Sequence, residues 1–204
     1  MPMRPAITHP ELLDVADSLA SESILLRCYR PGDGEALFAG IDAHRDELKQ
    51  RLPWPDAHRS AADSEAYVRR MQADFVARRQ FVFGIWDRAS GDYLGSTGLH
   101  APDWRTPKVE VGYFLLPTAR GRGHASSAVR LLVRMGFDQL LLNRVHATCD
   151  ADNAASAAVL RRAGLQLEGR SHLDQRDHNG RLRDTLHFAL TIDDYSRWSA
   201  AQAA

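Results

Sequence analysis

Residues 108–140 constrain the fold more than any other stretch of this chain. Lys108 to Leu116 alternates like a strand, with Glu110, Gly112 and Phe114 on one face and Val111, Tyr113 and Leu115 on the other. Pro117 stops the run. Arg120-Gly121-Arg122-Gly123-His124-Ala125 then forms a tight turn into a helix, roughly Gly123 to Leu140, and Val145 to Cys149 reads as the next strand. A strand, a crossover helix and a second strand return to one sheet as a parallel pair.

The flanking sequence predicts antiparallel neighbours for that pair. Ile24–Tyr29, Phe81–Trp86 and Tyr93–His100 read as strands, the last two joined by the turn Ser90-Gly91-Asp92. Leu165–Arg176 and Arg181–Leu190 form a final pair around Asn179-Gly180, a strong hairpin signal. Residues 9–20 read as a short leading helix. A second helix follows Asp33 and ends near Arg51, where Pro53 and Pro55 bracket Trp54. A third spans about 62–79, with Tyr67, Val68, Met71 and Phe75 on one face, and a fourth runs from Asn153 to Gly164. The expectation is an α+β (mixed α/β) fold: a mixed, mostly antiparallel twisted sheet flanked by helices, in one domain across residues 1–204 with a core at about 22–192.

Lys+Arg and Asp+Glu balance at 26 each, so no global field draws the chain to nucleic acid or an anionic membrane. Two cysteines, Cys28 and Cys149, do not make a disulfide framework, and no apolar run suggests a membrane helix or signal core. A cytoplasmic protein is the simplest expectation. The nine histidines show no zinc-ligand spacing, so no metal is expected.

The Gly-rich turn carries the chemistry. First-turn amides of a helix lack internal partners, and the helix dipole is positive there. Gly121 and Gly123 let the backbone bend and approach a ligand closely, and Arg120 and Arg122 add charge. This suits a phosphate or pyrophosphate. The ATP-type loop needs a lysine that is absent, and the dinucleotide fingerprint needs glycine where Ser126 stands. A plain helix-capping loop is the alternative.

Arg-x-x-Gly-x-Ala after this strand resembles the acetyl-coenzyme A pyrophosphate loop of the GNAT N-acetyltransferase superfamily. Val109 to Leu115 resembles its bulged central strand. Asn153-Ala154-Ala155-Ser156 and Arg162-Ala163-Gly164-Leu165 resemble its next helix and close, with Leu165 for the usual Phe. Leu52-Pro53-Trp54 resembles the RimJ/RimL branch, which acetylates protein N-termini. The resemblance covers roughly residues 22–192.

It implies an enzyme that moves acetyl from acetyl-coenzyme A directly to an amine, either a protein N-terminus or a small molecule. A non-catalytic acyl-coenzyme A sensor is the competing class. It implies a splayed strand pair in which backbone groups of Phe114, Leu115 and Leu116 meet the pantetheine arm. The amides from Arg120 through Gly121, Arg122, Gly123 and His124 to Ala125, with Ser126, hold the pyrophosphate. Asn153 touches the pantetheine arm, caps its helix, or does both. The family's usual glutamate and tyrosine fall at Thr148 and Leu160. Glu110 is then the candidate base, or else the partner of a nearby arginine. Ser156 is the candidate acid, or else a first-turn hydroxyl. Trp54, His100 and Trp104 are the acceptor-site candidates, with Asp103, Arg176, Asp177 and His178 as further cleft residues. Two-fold dimers are common in such relatives.

Overall fold

The computed structural model describes residues 3–177 and 179–203, with side chains through residue 200; the expectation for His178 lies outside the described residues. Chain order begins with β1 (Ser18–Ala20), β2 (Ile24–Cys28), α1 (Gly34–Ala43), α2 (Arg45–Lys49) and α3 (Ala61–Val76). β3 (Phe81–Asp87), β4 (Tyr93–Asp103), β5 (Lys108–Leu115), α4 (His124–Asp138) and β6 (Arg144–Asp150) follow. α5 (Ala154–Arg162), β7 (Gln166–Arg176), β8 (Leu182–Thr191) and α6 (Ile192–Ala203) complete it. The eight strands form one sheet in the order β1-β2-β3-β4-β5-β6-β8-β7. Every neighbouring pair is antiparallel except β5 and β6. The mixed, mostly antiparallel α+β architecture is as expected, and its parallel pair joins the strands on either side of the crossover helix.

Strand alternation divides the buried residues between two faces. α4 buries Val129, Leu132, Val133 and Phe137 against Phe83, Leu99, Val109 and Val111. On the other face, α1 and α3 bury Leu37, Ile41, Val68 and Met71 against Tyr29, Val82 and Tyr93. The Ser60 hydroxyl starts α3 by accepting the Asp63 amide at 3.1 Å. From α3, the Glu65 carboxylate accepts the amides of Gly32 (3.0 Å) and Gly34 (3.2 Å), which ties α3 to the start of α1.

α1 and α3 approach so closely that a Cβ on Gly34 would lie 2.5 Å from the Glu65 Cα. Gly34→Ala therefore forces the two helices apart. The expected cost is about 1–3 kcal/mol, read as a Tm lowered by about 2–4 °C per kcal/mol for a chain of this size. An unchanged Tm would mean that this contact is loose.

Three local expectations are corrected. Residues 9–20 are not a helix: Pro10–Leu12 makes one 3-10 turn, and Ser18–Ala20 pairs with β2. Backbone bonds from Cys28 N–H to the Asp17 carbonyl (2.8 Å) and from Ser21 N–H to the Ile24 carbonyl (2.9 Å) hold that edge. The helix expected to reach Arg51 breaks at His44, whose φ of −131° leaves the helical region, and α2 begins after it. α6 was not expected. It docks by stacking Tyr195 on Phe137 at 4.4 Å and by donating the Tyr195 hydroxyl to Asp138 Oδ2 at 2.8 Å.

Candidate active site

β5 and β6 pair only through Lys108–Arg144, Val109–Val145 and Glu110–His146. Beyond that point β6 stays with β8 to Asp150, while β5 stays with β4 to Leu115. The two strands separate, and a wedge opens between them. A groove of about 620 Å³ runs from this wedge to the Gly-rich turn, lined by Tyr113, Phe114, Leu115, Arg120, Gly121, Gly123, His124, Ala125, Ser126, Asn153 and Ser156.

The turn is built to receive an anion. Gly121 (φ 76°) and Gly123 (φ 82°) are left-handed, and a Cβ on either would meet no heavy atom within 4 Å. The amides from Gly121 to Ser126 find no acceptor among the described residues, whereas Ser127 N–H already bonds the Gly123 carbonyl at 3.0 Å. Six consecutive free amides at the start of α4 form a cradle for a phosphate group. Arg122 is exposed beside it.

A second cavity of about 530 Å³ lies on the α1–α3 face of the sheet. Its floor includes residues that sit side by side in register, His100 with Glu110 and Ser96 with Phe114, and Gly112 between Glu110 and Phe114 on β5. Its walls include Trp54, His58, Tyr67 and Arg70. The Arg45 guanidinium donates to the Pro55 carbonyl (2.5 Å) and the His58 carbonyl (2.7 Å), fixing the loop that carries Trp54. Trp54 then meets Phe114 edge-on at 4.8 Å. Burial, helped by Arg45 and Arg70, pushes the His58 imidazole below its ordinary range, and burial lifts the Tyr67 phenol to about 12.

The groove and the cavity share Leu52, Tyr113, Phe114 and Ser156. At that junction the Tyr113 and Ser156 hydroxyls are hydrogen-bonded at 2.8 Å, and the phenol also donates to the Ser156 carbonyl at 3.2 Å. Burial raises the Tyr113 phenol to about 12, so it stays protonated at neutral pH. Glu110 lines the cavity, and its Oε1 accepts the Thr148 hydroxyl at 3.1 Å. Glu110 on the cavity side can accept a proton, and Ser156 at the junction can return one.

The structure brings most of the sequence candidates together but displaces several. Glu110, His100 and Trp54 face the cavity, Asn153 the groove, and Ser156 both. Asn153 Oδ1 accepts the Ser156 amide at 3.0 Å, so it caps α5 as well as lining the groove. Leu116 does not offer its backbone to the wedge: its amide bonds the Leu94 carbonyl (2.9 Å), its own carbonyl accepts Ala119 N–H (2.9 Å), and its side chain is buried in the second core. The Arg120 amide is likewise used by the Pro117 carbonyl at 3.3 Å, and its guanidinium pairs with Glu47 of α2. The His124 side chain is buried, so only its amide belongs to the cradle. Trp104 lies outside both cavities; it packs on the first core, edge-on to Phe81 at 6.2 Å. Asp103 closes its own turn through Thr106. At the hairpin tip Arg176 bonds the Gly180 carbonyl and Asp177 holds Arg183, and neither Arg176 nor Asp177 lines the groove or the cavity.

Sequence reasoning missed Tyr113, because strand alternation assigns it to the core with Val111 and Leu115. The available signal was chemical: a buried phenol needs a partner. It also missed the break at His44 that makes α2 a separate short helix, which Glu47 of α2 and Arg51 just beyond it strap along the groove through Arg120 and through Asp150 and Asp152.

Comparison with known proteins gives a consistent result. Residues 23–166 match the family model described as an acetyltransferase (GNAT) domain. The uncharacterized N-acetyltransferase YoaA of Bacillus subtilis is 30% identical over 174 residues, covering 84% of this chain and 95% of that protein. The putative ribosomal N-acetyltransferase YdaF of the same organism is 30% identical over 175 residues, covering 83% and 92%. Among solved structures, the ribosomal L7/L12 alpha-N-protein acetyltransferase RimL in complex with coenzyme A superposes with a TM-score of 0.79 at 23% identity, covering 86% of this chain and 98% of that one.

Proposed function

This chain belongs to the GNAT acetyltransferase family, and from that premise we propose that it transfers acetyl from acetyl-coenzyme A directly to a primary amine, the α-amine of a protein N-terminus. The observation that carries this reading is the junction of two cavities at Tyr113 and Ser156. An anion cradle lies on one side of it, and Glu110 among aromatic walls lies on the other. The coenzyme fits the groove chemically: Gly121–Ser126 present free amides to a pyrophosphate, and the unpaired edge of β5 offers Phe114 and Leu115 to an amide-bearing arm. The thioester then reaches the junction from one side and the amine from the other.

A thioester is already activated, so the protein needs to orient the amine, exclude water and move protons. Glu110 is assigned to the amine side and Ser156 to the sulfur side. Tyr113, hydrogen-bonded to Ser156, keeps that hydroxyl directed at the junction. Ser156→Ala is expected to lower kcat on the order of tenfold, less than a typical proton donor, because a thiolate is a fair leaving group. Acetyl-coenzyme A affinity should change little. A kcat equal to the parent's in a stopped-flow thiol assay would remove Ser156 from the chemistry.

The relatives named for ribosomal proteins and the stiff Trp54 wall support a protein acceptor. The cavity's volume of about 530 Å³ favours a second reading, a small amine enclosed whole. Intact-mass analysis of a library of N-terminal peptides and free amines, incubated with acetyl-coenzyme A, separates the two. Acetylation confined to peptides supports the first reading. Acetylation of free amines alone overturns it in favour of the second.

A further inference from the structure

We infer that His100 takes a proton from the incoming acceptor through Nε2, in a tautomer fixed from behind by Gln80 and Asp74; the inference rests on the amine-acetylation reading above. Asp74 of α3 is anchored by Arg79 at 2.7 Å. Gln80 Nε2 donates to Asp74 Oδ2 at 3.3 Å, and Gln80 Oε1 lies 3.1 Å from His100 Nδ1. The carboxylate cannot donate to the amide, so Gln80 must turn its NH₂ to Asp74 and its oxygen to His100. That oxygen cannot donate either, so Nδ1 carries the imidazole proton and Nε2 carries the lone pair.

Nε2 is left open to the acceptor cavity. It has no hydrogen-bond partner among the described residues, and His100 lines the cavity. The ring lies over the register pair Gly98–Gly112, where a Cβ would come within 3.0 and 3.3 Å of Nε2. Side chains at those positions would push the ring away, so the two glycines make its seat. Across the cavity it shares His58, Asp63, Tyr67 and Arg70 as charged or titratable wall groups. Glu110 stands opposite on β5 with His146 next to it on β6, and the Asp74–Arg79 pair lies behind Gln80. Burial pushes the His100 imidazole below its ordinary range, opposed by Glu110, so it is neutral near pH 7 and ready to accept.

The proton balance calls for such a group. An α-amine has a pKa of about 7.7–8.0, so near pH 7 most of it arrives as ammonium. Its nitrogen must lose two protons on the way to an amide. The first leaves to His100 Nε2, freeing the lone pair that attacks the thioester carbonyl carbon. The second leaves to Glu110 as the C–N bond forms and the C–S bond breaks. The departing sulfur keeps the bond's electrons and takes a proton from the Ser156 hydroxyl, which is refilled from water. His100 and Glu110 return theirs to water, for a net release of one proton. Gln80 and Asp74 act as positioning residues.

The test is the pH profile of kcat/KM for an N-terminal peptide, in the parent, in His100→Gln and in Gln80→Glu. His100→Gln is expected to lose roughly 100-fold near pH 6.5. The deficit should shrink to a few-fold by about pH 9, where the amine has shed its first proton unaided. Acetyl-coenzyme A affinity should not change. Gln80→Glu puts a carboxylate on Nδ1, which favours the imidazolium, and should move the acid limb upward by about one pH unit. A purely structural role would not produce that shift, and this arm stands even if His100→Gln fails to fold. A deficit that is absent or constant with pH in His100→Gln, or an unmoved acid limb in Gln80→Glu, overturns the inference while leaving amine acetylation intact. A parent that acetylates no amine overturns both.

Discussion

Gly123→Glu is expected to weaken acetyl-coenzyme A binding by at least roughly 100-fold, more than 2.7 kcal/mol. The prediction combines two effects. Gly123 sits at φ 82°, a conformation that costs a residue with a side chain roughly 1–2 kcal/mol. Its Cβ position is open space facing the groove, so the glutamate would place its carboxylate beside the six free amides. The introduced anion then competes with the phosphate for the same donors and repels it. Gly123→Ala serves as the control, because it carries the backbone strain without the charge. It should lose far less affinity, with its main penalty appearing in Tm. Calorimetric titration with acetyl-coenzyme A checks both, and equal affinity in Gly123→Glu and the parent would mean that the turn does not hold the pyrophosphate.

Glu110→Gln is expected to lower kcat roughly 100-fold with little change in coenzyme affinity. Gln has the same shape, and its carbonyl can still accept the Thr148 hydroxyl that Glu110 holds at 3.1 Å. The substitution therefore removes charge and proton acceptance while leaving the strand in place. It also removes the negative charge opposite His100, which favours the imidazolium. The acid limb of kcat/KM should accordingly move to lower pH, the reverse of the shift in Gln80→Glu. A variant whose turnover and pH profile match the parent would place the proton acceptor elsewhere.

Much of this site is legible in the sequence because its signals are local. The Gly-rich turn, the alternating strand before it and the Asn153 cap each depend on residues only a few positions apart. Strand alternation alone puts Glu110 and Phe114 on one face, and the structure confirms that face as the cavity floor. What was not legible depends on distance. Arg120 is 73 residues from the Glu47 that engages it, and nothing near the turn announces that partner. Tyr113 reads as a core residue until β5 and β6 part, and then its hydroxyl meets Ser156 through the gap. Trp104 sits a few residues from His100, yet packing on Phe81 carries it away from the cleft. The β1 edge strand and α6 are fixed by their partners rather than by their own periodicity.

His100 shows both sides of this. Its position on β4 places it opposite Glu110 by simple register. Its protonation state depends on Gln80 and Asp74, which reach it from the end of α3 and the turn that follows. Residue type and place make it an acceptor-site candidate, whereas the inference about its free nitrogen needs the contacts with Gln80 and Asp74.

The most direct test of the account is release of free thiol from acetyl-coenzyme A, measured alongside acetylated product across N-terminal peptides and amines. The account predicts thiol and acetyl-amine in equal amounts, formed only when an acceptor is present, with no acetyl group left on the protein. Tight binding of acetyl-coenzyme A without thiol release for any acceptor would contradict it and mark the groove as that of a sensor.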